Sequence, residues 1–227
     1  MRIAIFSDIH GSTPGLRAVL AAIAQAGADL TVAAGDLVGG GPGTDEIFDL
    51  LDEHGVKLLR GNWEEVVYQP QQVIAQHVLA QSQDFAWRST EWLQAHLTQA
   101  NLNRLPDLPV SLTLEPAPGH PITICHAAPG NVWSRTCAAE VAPGILQAVY
   151  GGAAAEVVAY GHFHAHHTLW LGDKLLVNVA AVGMRKDGLS AYTLIEYNGA
   201  WLVRQYLTPY DTAAEKRLTD ERKPPWF

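Results

Sequence analysis

Cysteine is nearly absent from this chain. Only Cys125 and Cys137 occur in 227 residues, too few for a disulfide framework, so a reduced cytoplasmic protein is expected. Basic residues are also in deficit: 15 Lys and Arg stand against 23 Asp and Glu, a formal net charge of −8. Bulk binding to a polyanion such as duplex DNA is disfavoured, although a bound metal would still hold a small anion locally. Long apolar runs are missing. The opening MRIAIFSDIHG has one basic residue and an apolar stretch broken by Asp8. It lacks the core of a signal peptide, and no segment is long enough to span a bilayer. There is no internal repeat and no low-complexity segment. What remains, 48% hydrophobic and 17% charged residues, is ordinary for a globular protein whose length suits one well-buried core.

The first sixty residues alternate strand and helix. RIAIF at 2–6, LTVAA at 30–34 and VKLLR at 56–60 read as buried strands. Between them lie GLRAVLAAIAQAG, with Gly27 at the C-cap, and TDEIFDLLDEHG, with Thr44 as N-cap, Asp45 and Glu46 in the first turn and Gly55 as stop. Such alternation predicts a parallel sheet with right-handed crossovers. Residues 65–109 show no strand pattern. Helical spacing, interrupted at Pro70, predicts a helical insertion there, since the segment is too long for a structureless loop. Strands resume at 110–114, 121–125 and 156–160, with helices around 138–150 broken at Pro143-Gly144. Two hairpins follow, turning at Gly172-Asp173 and Asn198-Gly199, and a charged surface helix and loose tail ending in KPPWF close the chain. The whole, 1–227, reads as a single domain with one insertion.

Chemistry-bearing residues stand where the strands stop. Asp8 and His10 follow the first, Asp36 the second, Asn62 the third, His126 the run PITIC, and His162 and His164 the run EVVAY. In open α/β sheets ligands bind at the carboxyl ends of strands. The stretch YGHFHAHH, 160–167, holds four histidines well inside the chain, so it is no terminal tag. If extended, it would point His162, His164 and His166 to one side and His167 to the other. Carboxylate, amide and imidazole donors together suit borderline divalent ions such as Mn, Fe, Ni or Zn, and an aspartate can bridge two ions that clamp a phosphoryl displacement.

The ordered motifs DIHG, GDLV, GN, H and GHFH, spanning residues 8 to 164, resemble the calcineurin-like metallophosphoesterases, and among them the small bacterial and archaeal phosphodiesterase branch. The resemblance implies an α/β fold, a two-sheet β-sandwich flanked by helices, and two divalent ions per chain, manganese favoured. Carried onto matching positions, the first ion takes Asp8, His10, Asp36 and His164. The second takes Asp36, Asn62, His126 and His162, with Asp36 bridging. Asp36, Asn62 and His126 are then the catalytic set, and a metal-held hydroxide attacks phosphorus in a small phosphate ester. The implied activity is a phosphodiesterase. Phosphomonoesterase, protein serine/threonine phosphatase and non-catalytic metal-binding scaffold are the alternatives, and the oligomeric state is open.

Three departures bear on chemistry. GNWE stands where the family usually has GNHD or GNHE, so Trp63 replaces a histidine that assists the leaving group; Glu64 is the neighbouring candidate acid. Ala127 follows His126 in place of glycine, and NVAAVG at 178–183 replaces NPGSVG. Trp63, Arg135 and Arg185 are candidate substrate contacts, the arginines through a bidentate fork on phosphate. His166 is expected at the surface or orienting a ligand. His54, His77, His96 and His120 are isolated, Cys125 reads as a buried strand residue, and Trp87 and Trp92 as packing residues or a lid.

Overall fold

The computed structural model describes residues 1–137 and 141–225. Strand and helix alternate at the start as the apolar runs require. β1 (Arg2–Phe6), β2 (Leu30–Ala33) and β3 (Lys57–Leu58) are parallel neighbours, separated by α1 (Thr13–Ala26) and α2 (Asp45–Glu53). α1 ends at Gly27 as expected. Thr44 occupies the N-cap of α2, but its hydroxyl donates to Glu46 Oε2 at 3.2 Å and does not cap the helix. β3 is shorter than 56–60 because the Arg60 N–H turns away to the Pro109 carbonyl.

The insertion is helical, but it starts at Asn62, not Glu65. α3 (Asn62–Tyr68), α4 (Pro70–His77), α5 (Gln83–His96) and α6 (Gln99–Arg104) fill it, with short 3₁₀ turns at Ala80–Ser82 and Leu105–Asp107. The earlier onset has a cause. Glu64, two positions into α3, reaches back to accept the N–H of Gly61 at 2.7 Å, the second half of a capping box. Pro70 opens α4, where its missing N–H is harmless.

β4 (Ser111–Ala117), β5 (His120–Cys125), β6 (Val157–Tyr160), β7 (His166–Leu171) and β8 (Lys174–Val179) form the second sheet, in the order β4-β5-β6-β8-β7. β9 (Leu189–Tyr197) and β10 (Trp201–Pro209) complete the first, β10-β9-β1-β2-β3. Both expected hairpins form: Leu171 pairs with Lys174, and Tyr197 with Trp201. α7 (Pro143–Tyr150) lies against the second sheet and α8 (Thr212–Arg222) follows β10. Pro143 starts α7 and does not break it; of the helix expected around 138–150, residues 138–140 lie outside the described residues, as do residues 226–227 of the expected tail.

The period of two along β1 builds the layers. Ile3 and Ile5 face the second sheet and bury against Ile122, Ile124 and Val177, whereas Ala4 and Phe6 face Leu16 and Val19 of α1 and Phe48 of α2. On the far side Val158, Tyr160 and Leu176 pack on Leu146 and Tyr150 of α7. The result is two mixed five-stranded sheets, face to face and flanked by helices. β5, β6 and β8 are parallel in the second sheet, and β1 and β2 in the first. The turns that leave β1, β2, β5 and β6 meet at one edge of the sandwich.

Candidate metal centre

Five of the seven sequence-derived ligands hold backbone conformations that L-residues rarely adopt. φ is +55° at Asp8, +48° at His10, +54° at Asp36, +67° at His162 and +56° at His164. Left-handed backbone at non-glycine residues costs on the order of 1–3 kcal/mol each and persists only where the surroundings enforce it. Here it folds each chain segment back at its strand end and turns the side chain inward. The extended reading of 162–166 is therefore wrong. The strand stops at Tyr160, and the two left-handed residues send His162 and His164 to different neighbours.

Those neighbours form two groups: Asp8, His10 and His164, and Asp36, His126 and His162. Within the first, Nε2 of His10 and Nε2 of His164 are 3.2 Å apart, and Asp8 Oδ1 is 3.2 Å from His164 Nε2. Within the second, His126 Nε2 lies 3.2 Å from His162 Nδ1 and 2.9 Å from Asn62 Oδ1. Asp36 stands between them, its Oδ2 3.7 Å from His10 Nε2 and 3.4 Å from His126 Nε2. All seven residues are thus brought together. Asp8, His10, Asp36 and His126 form a buried floor, and His162 and His164 the part-exposed face.

Each aspartate has one oxygen fixed by main chain and the other turned to imidazole. The His162 N–H donates to Asp8 Oδ2 at 2.9 Å, and the Trp63 N–H to Asp36 Oδ1 at 2.8 Å. Asp8 Oδ1 is buried without a hydrogen-bond partner among the described residues. His10 Nδ1 donates to the Gly39 carbonyl at 2.6 Å and His126 Nδ1 to the Ala34 carbonyl at 2.9 Å. A carbonyl accepts only, so these bonds place a proton on Nδ1 of both rings and turn Nε2 of both, the nitrogen that would ligate an ion, toward the carboxylates. Gly61 permits the approach, because a Cβ there would collide with the Asp36 carboxylate.

A family model for the calcineurin-like phosphoesterase superfamily domain matches residues 1–199. The chain belongs to that family. A crystal structure of a metallophosphoesterase from Sphaerobacter thermophilus superposes with a TM-score of 0.75 at 21% identity, covering 99% of this chain and 95% of that one. A hypothetical protein from Pyrococcus horikoshii OT3 gives 0.83 at 16% identity, covering 99% and 94%. A novel archaeal phosphodiesterase gives 0.52 at 14% identity, covering 91% and 99%. At these identities the likeness is one of fold. No curated protein matches by sequence.

The donor chemistry of this calcineurin-like phosphoesterase fits divalent ions. Imidazole nitrogens and carboxylate oxygens converge on two points, an arrangement that a cation stabilises. The titration behaviour reflects how strongly the two buried carboxylates act on the imidazoles around them. Burial alone would raise Asp8, but His164, His126 and His10 around it outweigh burial and hold it below the usual carboxylate range. Burial alone would lower His126, yet Asp36 and then Asp8 push it up to about 10. His162 goes down to about 4, through burial and the adjacent His126.

Glu64 is not placed to serve as an acid. It is fully buried, and its carboxylate accepts the N–H groups of Asp36, Leu37 and Gly61 at 2.9, 2.8 and 2.7 Å. Burial and then Asp36 push it up to about 7, but it faces main chain and not the open side. It positions Asp36 through the main chain, and its bond to the Gly61 N–H is the return half of a capping box. Trp63 stands edge-on to His10, centroids 6.4 Å apart, and edge-on to Phe85 at 6.0 Å. It borders a cavity of about 220 Å³ with Asn62, Phe85 and Trp133. A second cavity, about 390 Å³, opens beside His10, and Arg185 lines it while paired with Asp187.

Arg135 does not join the site. It is exposed, donates to the His77 carbonyl at 3.1 Å and lines neither of these cavities. His166 starts β7 with its Nε2 buried and without a hydrogen-bond partner among the described residues, and His167 Nε2 meets the Tyr160 hydroxyl at 2.6 Å. Trp87 packs with Val66 and Val73, and Trp92 stacks on His96. Cys125 is fully buried, and burial pushes its thiol up. No helix among the described residues is long and apolar enough to cross a membrane.

Proposed function

We propose that the chain is a metal-dependent phosphodiesterase acting on small phosphate esters in the cytoplasm. Asp8, His10, Asp36 and His164 would hold one divalent ion, and Asp36, Asn62, His126 and His162 the other. Ions there would polarise phosphoryl oxygens and acidify water. Manganese is favoured, and Fe, Ni or Zn suit the same donors. The protein's own part is to hold Asp36 by the Trp63 and Glu64 contacts and to keep His10 and His126 in one tautomer through the Gly39 and Ala34 carbonyls.

The observation that carries the diesterase reading is Trp63 next to His10, with Glu64 turned away. An indole N–H does not titrate near neutrality. An alkyl phosphomonoester expels a poor alkoxide leaving group, and loss of general-acid help costs about 10²–10⁴-fold. Aryl diesters, with acidic phenols, and strained cyclic diesters need that help less. The test measures kcat/KM of the Mn-loaded protein for an aryl diester, a 2′,3′-cyclic nucleotide and serine phosphate. The diesters are expected to turn over faster. Equal rates for serine phosphate would replace this reading with the monoesterase one. Protein that retains no metal by elemental analysis, and no activity after Mn is added, would leave the scaffold.

A further inference from the structure

The cavity beside His10 is walled by three distant segments. α5 of the insertion supplies Phe85, the loop after β8 supplies Met184, Arg185 and Lys186, and α8 supplies Glu215. We propose that this cavity binds the nucleoside arm of a nucleotide-type phosphodiester. The inference rests on the diesterase reading for the phosphorus end of the substrate and on the cavity alone for the other end.

Position comes first. His10 is shared between the candidate metal centre and the cavity wall, so an ester seated on the centre can extend one arm directly into it. The volume, about 390 Å³, lies within the roughly 300–1,000 Å³ of small-molecule sites. The walls select the arm. Phe85, 36% exposed, is braced edge-on by Trp63, and Met184 is 56% exposed at φ +59°. Aromatic and thioether surfaces suit a flat ring. Gly40 makes room for that thioether, since a Cβ there would come within 2.9 Å of Met184 Sδ.

The polar groups narrow the class further. Glu215 Oε2 accepts the Ser12 hydroxyl at 2.5 Å. Among the described residues no hydrogen bond engages its other oxygen, so a ligand hydroxyl or amine finds an acceptor there. Lys186 supplies positive charge in the wall, next to Arg185, which is paired with Asp187. A purely apolar arm leaves Glu215 and Lys186 unmatched, and a polyanionic arm is repelled by Glu215. A ring with hydroxyl or amino donors on a singly charged ester satisfies all of them, which describes a nucleoside.

The test compares binding of thymidine 5′-monophosphate and methyl phosphate to the Mn-loaded protein by calorimetry, since the two share the phosphate and differ in the arm. The wild-type protein is expected to prefer the nucleotide by at least about tenfold, within the range of a base–aromatic stack. F85A is expected to reduce that preference about tenfold and E215Q severalfold; Phe85 is exposed enough that its loss leaves the fold intact. Equal affinities in the wild type, or a preference that survives both variants, overturns the inference. Turnover is read separately with thymidine 5′-(4-nitrophenyl phosphate) and methyl 4-nitrophenyl phosphate. If neither is hydrolysed while the binding preference stands, the diesterase reading fails and the nucleoside site does not.

Discussion

The side chain of Glu64 holds the main chain of Asp36. Its carboxyl group accepts the Asp36 N–H at 2.9 Å and those of Leu37 and Gly61 as well, so one buried side chain ties the turn after β2 to the start of α3. The same helix returns the favour through the Trp63 N–H on Asp36 Oδ1. The position of Asp36 between the two groups is therefore set from behind, by the Glu64 carboxylate and the Trp63 main chain.

Replacing Glu64 by Ala leaves three buried N–H groups without an acceptor. At roughly 1–3 kcal/mol each, the expected loss of stability is about 3 kcal/mol or more. Urea denaturation of the metal-free protein measures it, and Mn titration is expected to show weaker binding. A Glu64→Ala protein as stable as wild type and with the same Mn affinity would contradict the positioning role.

Asp36→Asn is expected to lower the affinity for both ions, because a bridging carboxylate contributes charge to each and an amide contributes none. Elemental analysis after dialysis should find well under two equivalents. Retention of two equivalents at wild-type affinity would show that Asp36 does not bridge.

Trp63→His restores a titratable ring beside His10. The ratio of serine phosphate to aryl diester turnover, at matched metal content, is expected to rise by about 10²-fold, the lower end of general-acid assistance. No change in that ratio would mean the missing acid is not what limits monoester hydrolysis.

Glu46, which belongs to neither candidate ligand group, gives a pH signature of its own. Its carboxylate accepts from Arg222 of α8, Thr13 and Thr44. Burial pushes it up, but backbone N–H groups and Arg222 outweigh burial and leave it lowered. A depressed carboxylate stabilises the fold above its unfolded pKa, here 4.5, and loses that contribution as pH falls through the folded value. Glu46→Gln should therefore cost about 1–2 kcal/mol at pH 7 and progressively less below pH 4.5. Thermal melts at pH 7 and pH 3 decide it, and a difference that persists unchanged at pH 3 would contradict the assignment.

The strand ends were legible because β-favouring runs stop abruptly before Asp8, Asp36 and His126, and strand direction then dictates that they meet. The side on which each ligand emerges was not. Glycine alone advertises left-handed backbone strongly in a sequence, whereas here aspartates and histidines adopt it, residue types that are enriched there but mostly take other conformations. Glu64 next to Trp63 looked like a spare acid, and only burial shows that it serves the backbone. Phe85 and Glu215 carried no motif at all. They line one cavity together with Gly40 and Gly41, a tertiary fact that no local pattern encodes.

Each candidate ligand group draws on both sheets: Asp8 and His10 from the first with His164 from the second, and Asp36 from the first with His126 and His162 from the second. An ion in either group would rivet one sheet to the other at their common rim. Metal occupancy would then register how tightly the two halves of the sandwich are closed. Chelation should loosen that rim first, so amide exchange would quicken around Gly35, Gly61 and Gly161 while the strands between Ile5 and Val177 stay protected.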